Sequence, residues 1–279
     1  MPSIPNASLA LSMLQANASA SAGAFSPVAI DFSVLGGGAG AASASVYGPG
    51  SIHLALAEAE KNEARQLAEA RRQPEVKRDL ERYAKVVSSA KTLEEVLDDP
   101  VARKVFLTAN GLSEYADYPG LARKALASDP AAPDALAVRL ASVNSGWLST
   151  VRAFDLFRRG VAGLKSDAGL AKVINNYVAE KRLDRLDQQL PGLGTAILFK
   201  DVAATFDTAV KILGSRLGRE VVTTALQIPR QIAVQSVEAQ ARAISARLDV
   251  AKLQDPAFVD RLVHRYLLAT YGVLGGVTA

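Results

Sequence analysis

Closely spaced helix punctuation is the feature that most restricts this chain. In residues 92–112, TLEEVLDDPVARKVFLTANGL, Thr92 and Glu95 form a T-x-x-E capping box, and Asp99-Pro100 supplies an N-cap followed by proline at the first helical position. Asn110-Gly111 then provides a left-handed stop. A run with two starts and one stop folds into short helices that gain stability by packing, because isolated helices of that length are marginal in water. The hydrophobic content of 49%, carried largely by Ala, Leu and Val with only 6% aromatic residues, favours close helix packing over sheets. The expected fold is all-α.

The same pattern returns 116 positions later in AVKILGSRLGREVVTTALQI, placing Thr92 on Thr208, Leu97 on Leu213, Arg103 on Arg219 and Leu112 on Ile228. At an offset of 122, Leu126 falls on Leu248, Arg139 on Arg261 and Leu140 on Leu262. This predicts an internal duplication, two related helical subdomains over residues 52–160 and 161–272. An Ala/Ser/Gly-rich segment, 1–51, precedes them, and a flexible tail, 273–279, follows.

The charges are unevenly distributed. Residues 1–60 contain no Lys or Arg, and Asp31, Glu58 and Glu60 are their only acids. Ala, Ser and Gly fill 28 of the first 50 positions, too little bulky apolar surface to offset chain ordering, so this segment is expected to be disordered in isolation. It lacks the basic region of a Sec signal, and no uncharged run is apolar enough to span a bilayer. Leu9, Met13 and Leu14 stand at helical offsets and are candidate contacts for a partner on which they would order. The run AIDFSVLGGGAGAA resembles a dinucleotide-binding turn but leads into further helix breakers, so no helix amino terminus is available for a pyrophosphate.

From Ile52 the chain reads as one long, mostly solvated helix, ended by Pro74. In the helix that follows, Val76, Leu80, Tyr83 and Val87 define a buried stripe, and Lys77, Arg78, Arg82 and Lys85 lie largely off it. That basic cluster reads as a solvated face, or as a contact for an acidic partner. Trp147, Val151, Phe154 and Phe157 are spaced to share a helix face, with Trp147 expected to anchor the join between the halves. A long polar-faced helix and a closing helix bearing Val259, Leu262, Val263, Tyr266 and Leu267 complete the body.

The residues offer little chemistry. With no cysteine, disulfides and thiolates are excluded, and the two histidines, His53 and His264, have no cysteine or spaced carboxylate partner that would make a zinc site or triad. No metal and no cofactor are expected. Glu94, Glu95, Asp98 and Asp99 occupy helix caps and first turns, where the macrodipole accounts for them, leaving a carboxylate-dependent hydrolase as a remote alternative. A net charge of +4 from 32 basic and 28 acidic residues does not imply a nucleic-acid partner.

Four stretches, VLDDPVARKVFLTANGL, DYPGLARKALASDPAAPDALAVRLA, LPGLGTAILFKD and LGREVVTTALQIPRQIAVQSVEAQARAISARLDVAKLQDPAFVDRLVHRYL, resemble the family called domain of unknown function 1217. The resemblance runs from about residue 55 to 268. It implies a helical fold, a bacterial origin and members commonly encoded beside flagellar genes, with no agreed catalytic motif to transfer. Separately, the cysteine-free composition and charge-poor amino terminus resemble substrates of the flagellar type III export channel. The expected function is therefore a non-enzymatic, flagellum-associated structural or assembly protein, placed in the flagellum or cytoplasm and contacting other flagellar or export proteins. A cytoplasmic adaptor or chaperone for flagellar components is the alternative. Partner identity and oligomeric state are left open by the sequence.

Overall fold

The computed structural model describes residues 49–271. The candidate contacts Leu9, Met13 and Leu14, the expected disordered segment through residue 48 and the expected tail 273–279 lie outside the described residues. Residues 49–51 open the first helix.

The described residues are all-α, without a strand. Helices α1 (Pro49–Lys61), α2 (Glu63–Arg72), α3 (Pro74–Ser89), α4 (Leu93–Asp98) and α5 (Pro100–Thr108) are followed by α6 (Pro119–Leu126), α7 (Leu136–Leu140) and α8 (Gly146–Phe154). Next come α9 (Leu156–Arg159), α10 (Val161–Lys165), the long α11 (Asp167–Gln189), α12 (Leu193–Val202), α13 (Ala209–Gly214) and α14 (Arg216–Ala225). Helices α15 (Val237–Ser245) and α16 (Pro256–Thr270) close the body.

The capping chemistry positions these helices as their residues dictate. Thr92 Oγ1 accepts the Glu95 amide at 3.3 Å, while the Glu95 carboxylate reaches back to the Lys91 amide at 2.8 Å. Asp99 accepts from the Val101 and Ala102 amides, Pro100 follows it, and Gly111 stops the chain with φ 69. Val76, Leu80, Tyr83 and Val87 are buried along α3, as are Val259, Leu262, Val263, Tyr266 and Leu267 along α16.

Two expectations are corrected. The single helix from Ile52 breaks at Asn62, and its first part, largely exposed as expected, carries a narrow buried stripe of Ile52, Leu56 and Ala59. The face expected from Trp147 to Phe157 is also interrupted, because Asp155 adopts a left-handed φ of 48. Trp147, Val151 and Phe154 remain buried, but Phe157 turns outward and lines a recess of about 420 Å³ with Lys91 and Arg159.

Buried side chains form two clusters. One takes Val76, Leu80, Phe106, Trp147, Leu164 and Tyr177; the other takes Ile52 and Leu56 of α1 with Leu186, Phe199, Val221 and Leu267. Trp147 lies inside the first cluster rather than between the two. Helix α11 instead runs through both, contributing Val173, Ile174, Tyr177 and Val178 to the first and Leu186 to the second. A long helix with a polar face serves this role because opposite ends of its apolar stripe can bury against different partners.

Local geometry recurs at the offset read from the sequence. Thr208 caps the Lys211 amide as Thr92 caps Glu95, and Gln227 has φ 52 where Gly111 has φ 69. Arg103 donates to the Leu97 carbonyl at 2.6 Å and Arg219 to the Leu213 carbonyl at 3.3 Å. This covers one cap–helix–turn unit. Duplication of whole halves is a further proposal, tested by superposing 92–142 on 208–264.

Candidate functional site

The site begins with the way α11 is held. Toward its first half, Asn176 Nδ2 donates to the Ala109 carbonyl at 3.0 Å and the Tyr177 hydroxyl to Asp79 Oδ2 at 2.5 Å, tying α11 to α5 and α3. Near its end, the Asp187 carboxylate accepts the Gly194 amide at 2.7 Å and so serves the first turn of α12. That crossing is too close for a side chain: a Cβ at Gly194 would lie 2.5 Å from the Leu183 carbonyl oxygen. These contacts hold α11 and α12 at a fixed separation.

Beside them an open groove of about 910 Å³ separates elements of the two clusters. Glu180 and Asp184 of α11 line it with Thr195 of α12, Val210 and Lys211 of α13, and Arg216 and Glu220 of α14. Glu114 and Val143 complete the opposing side. Arg216 and Glu114 pair at 2.7 Å, linking α14 to the turn after α5. Val143 and Val210 are 63% and 56% exposed, so this groove also presents apolar surface to solvent.

Most of its charges are already engaged. Lys211 pairs with Asp207 at 2.6 Å and Asp184 with Lys181 at 2.9 Å, while Glu220 accepts a long 3.4 Å hydrogen bond from the Tyr266 hydroxyl. Glu180 is different. It is half-buried and, among the described residues, has neither a hydrogen bond nor an ion pair. Burial, reinforced by the Asp184 carboxylate and opposed by Lys181, pushes the Glu180 carboxyl up to about 7.

This shift predicts a pH-dependent stability change. The folded chain retains the Glu180 proton to about 7, against an ordinary value of 4.5, so it binds more protons than the unfolded chain between those values. The stability associated with this group is therefore present at acidic pH and lost as pH rises from 4.5 through about 7. Glu180→Gln should raise stability above pH ~8 by about 1–2 kcal/mol, after discounting for solvent screening, and change it little near pH ~4. Urea denaturation across pH checks this; an unchanged difference between wild type and variant at every pH would refute it.

The residues singled out from sequence lie elsewhere. Lys77, Arg78, Arg82 and Lys85 are exposed on α3, and none lines the groove. Arg82 is engaged by Asp99 through Nε at 2.9 Å, and Lys77 faces Glu81 at 3.9 Å. Glu95 and Asp99 cap helices, and Asp98 pairs with Arg123 at 2.6 Å. Burial opposes ionisation of Asp99, but the Ala102 amide and Arg82 guanidinium outweigh it and hold the carboxyl below its ordinary range. His53 and His264, separated widely in sequence, meet across α1 and α16 with ring centroids 6.0 Å apart. No group of three or more metal-ligating residues suited to an ion occurs among the described residues.

The family model described as protein of unknown function, DUF1217, matches residues 109–259. The chain belongs to this family. Every groove residue named above falls within the DUF1217 match, which is narrower than the resemblance read from the sequence. The X-ray structure of protein AGR_C_984 from Agrobacterium tumefaciens is similar at 22% identity with a TM-score of 0.66, over 81% of this chain and 94% of that chain. That likeness shows the fold alone. No curated protein matches the chain.

Neither Glu180 nor the groove was singled out from the sequence. The run NNYVAEKRLDRLDQQ gives alternating charges on a polar helix, and a solvated face is the natural reading. Glu180 becomes distinctive only when α13, α14 and the turn after α5 close around it.

Proposed function

We propose that this protein is a non-enzymatic, flagellum-associated structural or assembly protein acting through protein–protein contacts. The observation carrying the contact role is the groove between the two clusters, which exposed Val143 and Val210 line together with Glu180, a carboxyl without an ion-pair partner among the described residues. Exposed apolar residues rimmed by polar groups suit a protein interface. Family membership supports the flagellar setting through the gene neighbourhood that the DUF1217 resemblance implies. No helix among the described residues is long and apolar enough to cross a membrane.

Fractionation of the native bacterium tests this reading. A tagged full chain should accumulate in purified basal bodies, hooks or culture fluid, and deletion of residues 2–50 should remove it from them. Cytosolic retention with a copurifying flagellar protein would favour the adaptor reading. Absence from every flagellar fraction, with no flagellar protein copurifying, would overturn both settings.

A further inference from the structure

We infer that the groove receives a cationic, aliphatic segment of a partner protein, with a lysine or arginine opposite Glu180 and small apolar side chains against Val143 and Val210. This rests on the contact role proposed above but not on its flagellar setting. The charges around the groove point to that chemistry. Its two lining cations are engaged, Arg216 by Glu114 and Lys211 by Asp207, whereas among the described residues Glu180 has no ion-pair partner and Glu220 has the long Tyr266 contact alone. Lys181, the cation adjacent to Glu180 on α11, is held by Asp184. A chain with a net charge of +4 thus presents a groove whose unengaged charge is negative.

The apolar requirement comes from the rim. Val143 and Val210 are both more than half exposed, on different elements of one opening. A free cation would leave these valines in water. A side chain from an aliphatic peptide can cover them while placing its charge at Glu180, combining apolar burial with electrostatic complementarity. Glu180 would enter this contact ionised, so binding should strengthen as pH rises through the interval in which its proton is lost. Asp184, Lys181, Lys211, Arg216, Glu114 and Glu220 are the charged neighbours that set the remaining field.

Fluorescence polarisation with the full chain tests the inference. The probe is a labelled synthetic peptide of about fourteen residues built from Lys, Leu and Ala, and its control carries Glu in place of Lys. The lysine peptide should bind, weakening roughly tenfold from pH ~8 to pH ~6, while the glutamate peptide should not bind. Glu180→Gln should weaken binding roughly tenfold at pH ~8 and flatten the pH profile. Val210→Asp, at an exposed position, should weaken binding without a matching loss of helicity by circular dichroism. No lysine-peptide binding, equal binding of both peptides, or unchanged affinity in both variants would overturn the proposal. Spermidine competing as strongly as the peptide would also overturn it, showing that charge alone suffices. Failure to find the chain in flagellar fractions would affect only the biological setting.

Discussion

Trp147→Ala should lower the stability of the helical body by about 3–5 kcal/mol, the range for removing a buried tryptophan from a packed core. Trp147 is fully buried, and its ring centroid lies 5.0 Å from that of Tyr115. Val151 and Phe154 bury the same face of α8, and Phe106 meets Phe154 edge-on at 5.5 Å. Removing the indole would leave a cavity that these constrained neighbours can only partly fill. The chain has one tryptophan, so far-ultraviolet circular dichroism, rather than tryptophan fluorescence, should follow urea unfolding in both proteins. Phe157→Ala is the matched control: Phe157 is 48% exposed, and its replacement should cost less than about 1 kcal/mol. Equal losses in the two variants would contradict the observed burial.

Arg182→Met should destabilise the chain by about 2–3 kcal/mol, through lost hydrogen bonds and an uncapped carbonyl. The Arg182 side chain is only 5% exposed, and its guanidinium reaches across the break between α1 and α2. It donates to the Ala59 carbonyl at 2.8 Å and Gln66 Oε1 at 3.0 Å, and pairs with Glu63 at 3.4 Å. Ala59 is in the last turn of α1, where helix carbonyls lack intrahelical donors and a cation complements the macrodipole. Methionine keeps an apolar stem but satisfies none of these groups. Glu63 is 60% exposed and can be solvated, so the cost should fall below that of stranding a fully buried charge.

The local consequence should be as informative as the global one. Hydrogen exchange should quicken across residues 49–61 in the Arg182 variant, because α1 loses a tether while Ile52 and Leu56 still hold it by apolar contact. Unchanged exchange there, despite lower global stability, would remove the assigned role of Arg182 in holding α1.

These residues separate local information from long-range information. Helix class, the Thr92 and Asp99 caps, the Gly111 stop and the buried stripes of α3 and α16 were legible because each depends on residues within one or two helical turns. The break at Asn62 was less visible. EAEKNEARQ has good helix-forming residues on both sides, and its consequence lies in an Arg182 bond to a distant carbonyl.

By itself, the amino-acid sequence determined that this protein forms short capped helices with apolar stripes, and it carried the pattern that places the chain in DUF1217. Only the tertiary structure decided that Arg182 would be buried, that His53 would meet His264, and that Glu180 would line a groove with no ion-pair partner among the described residues. The physical reason is distance along the chain. Caps and periodicity act between near neighbours, whereas desolvation and charge at a side chain are set by whichever remote helices pack around it.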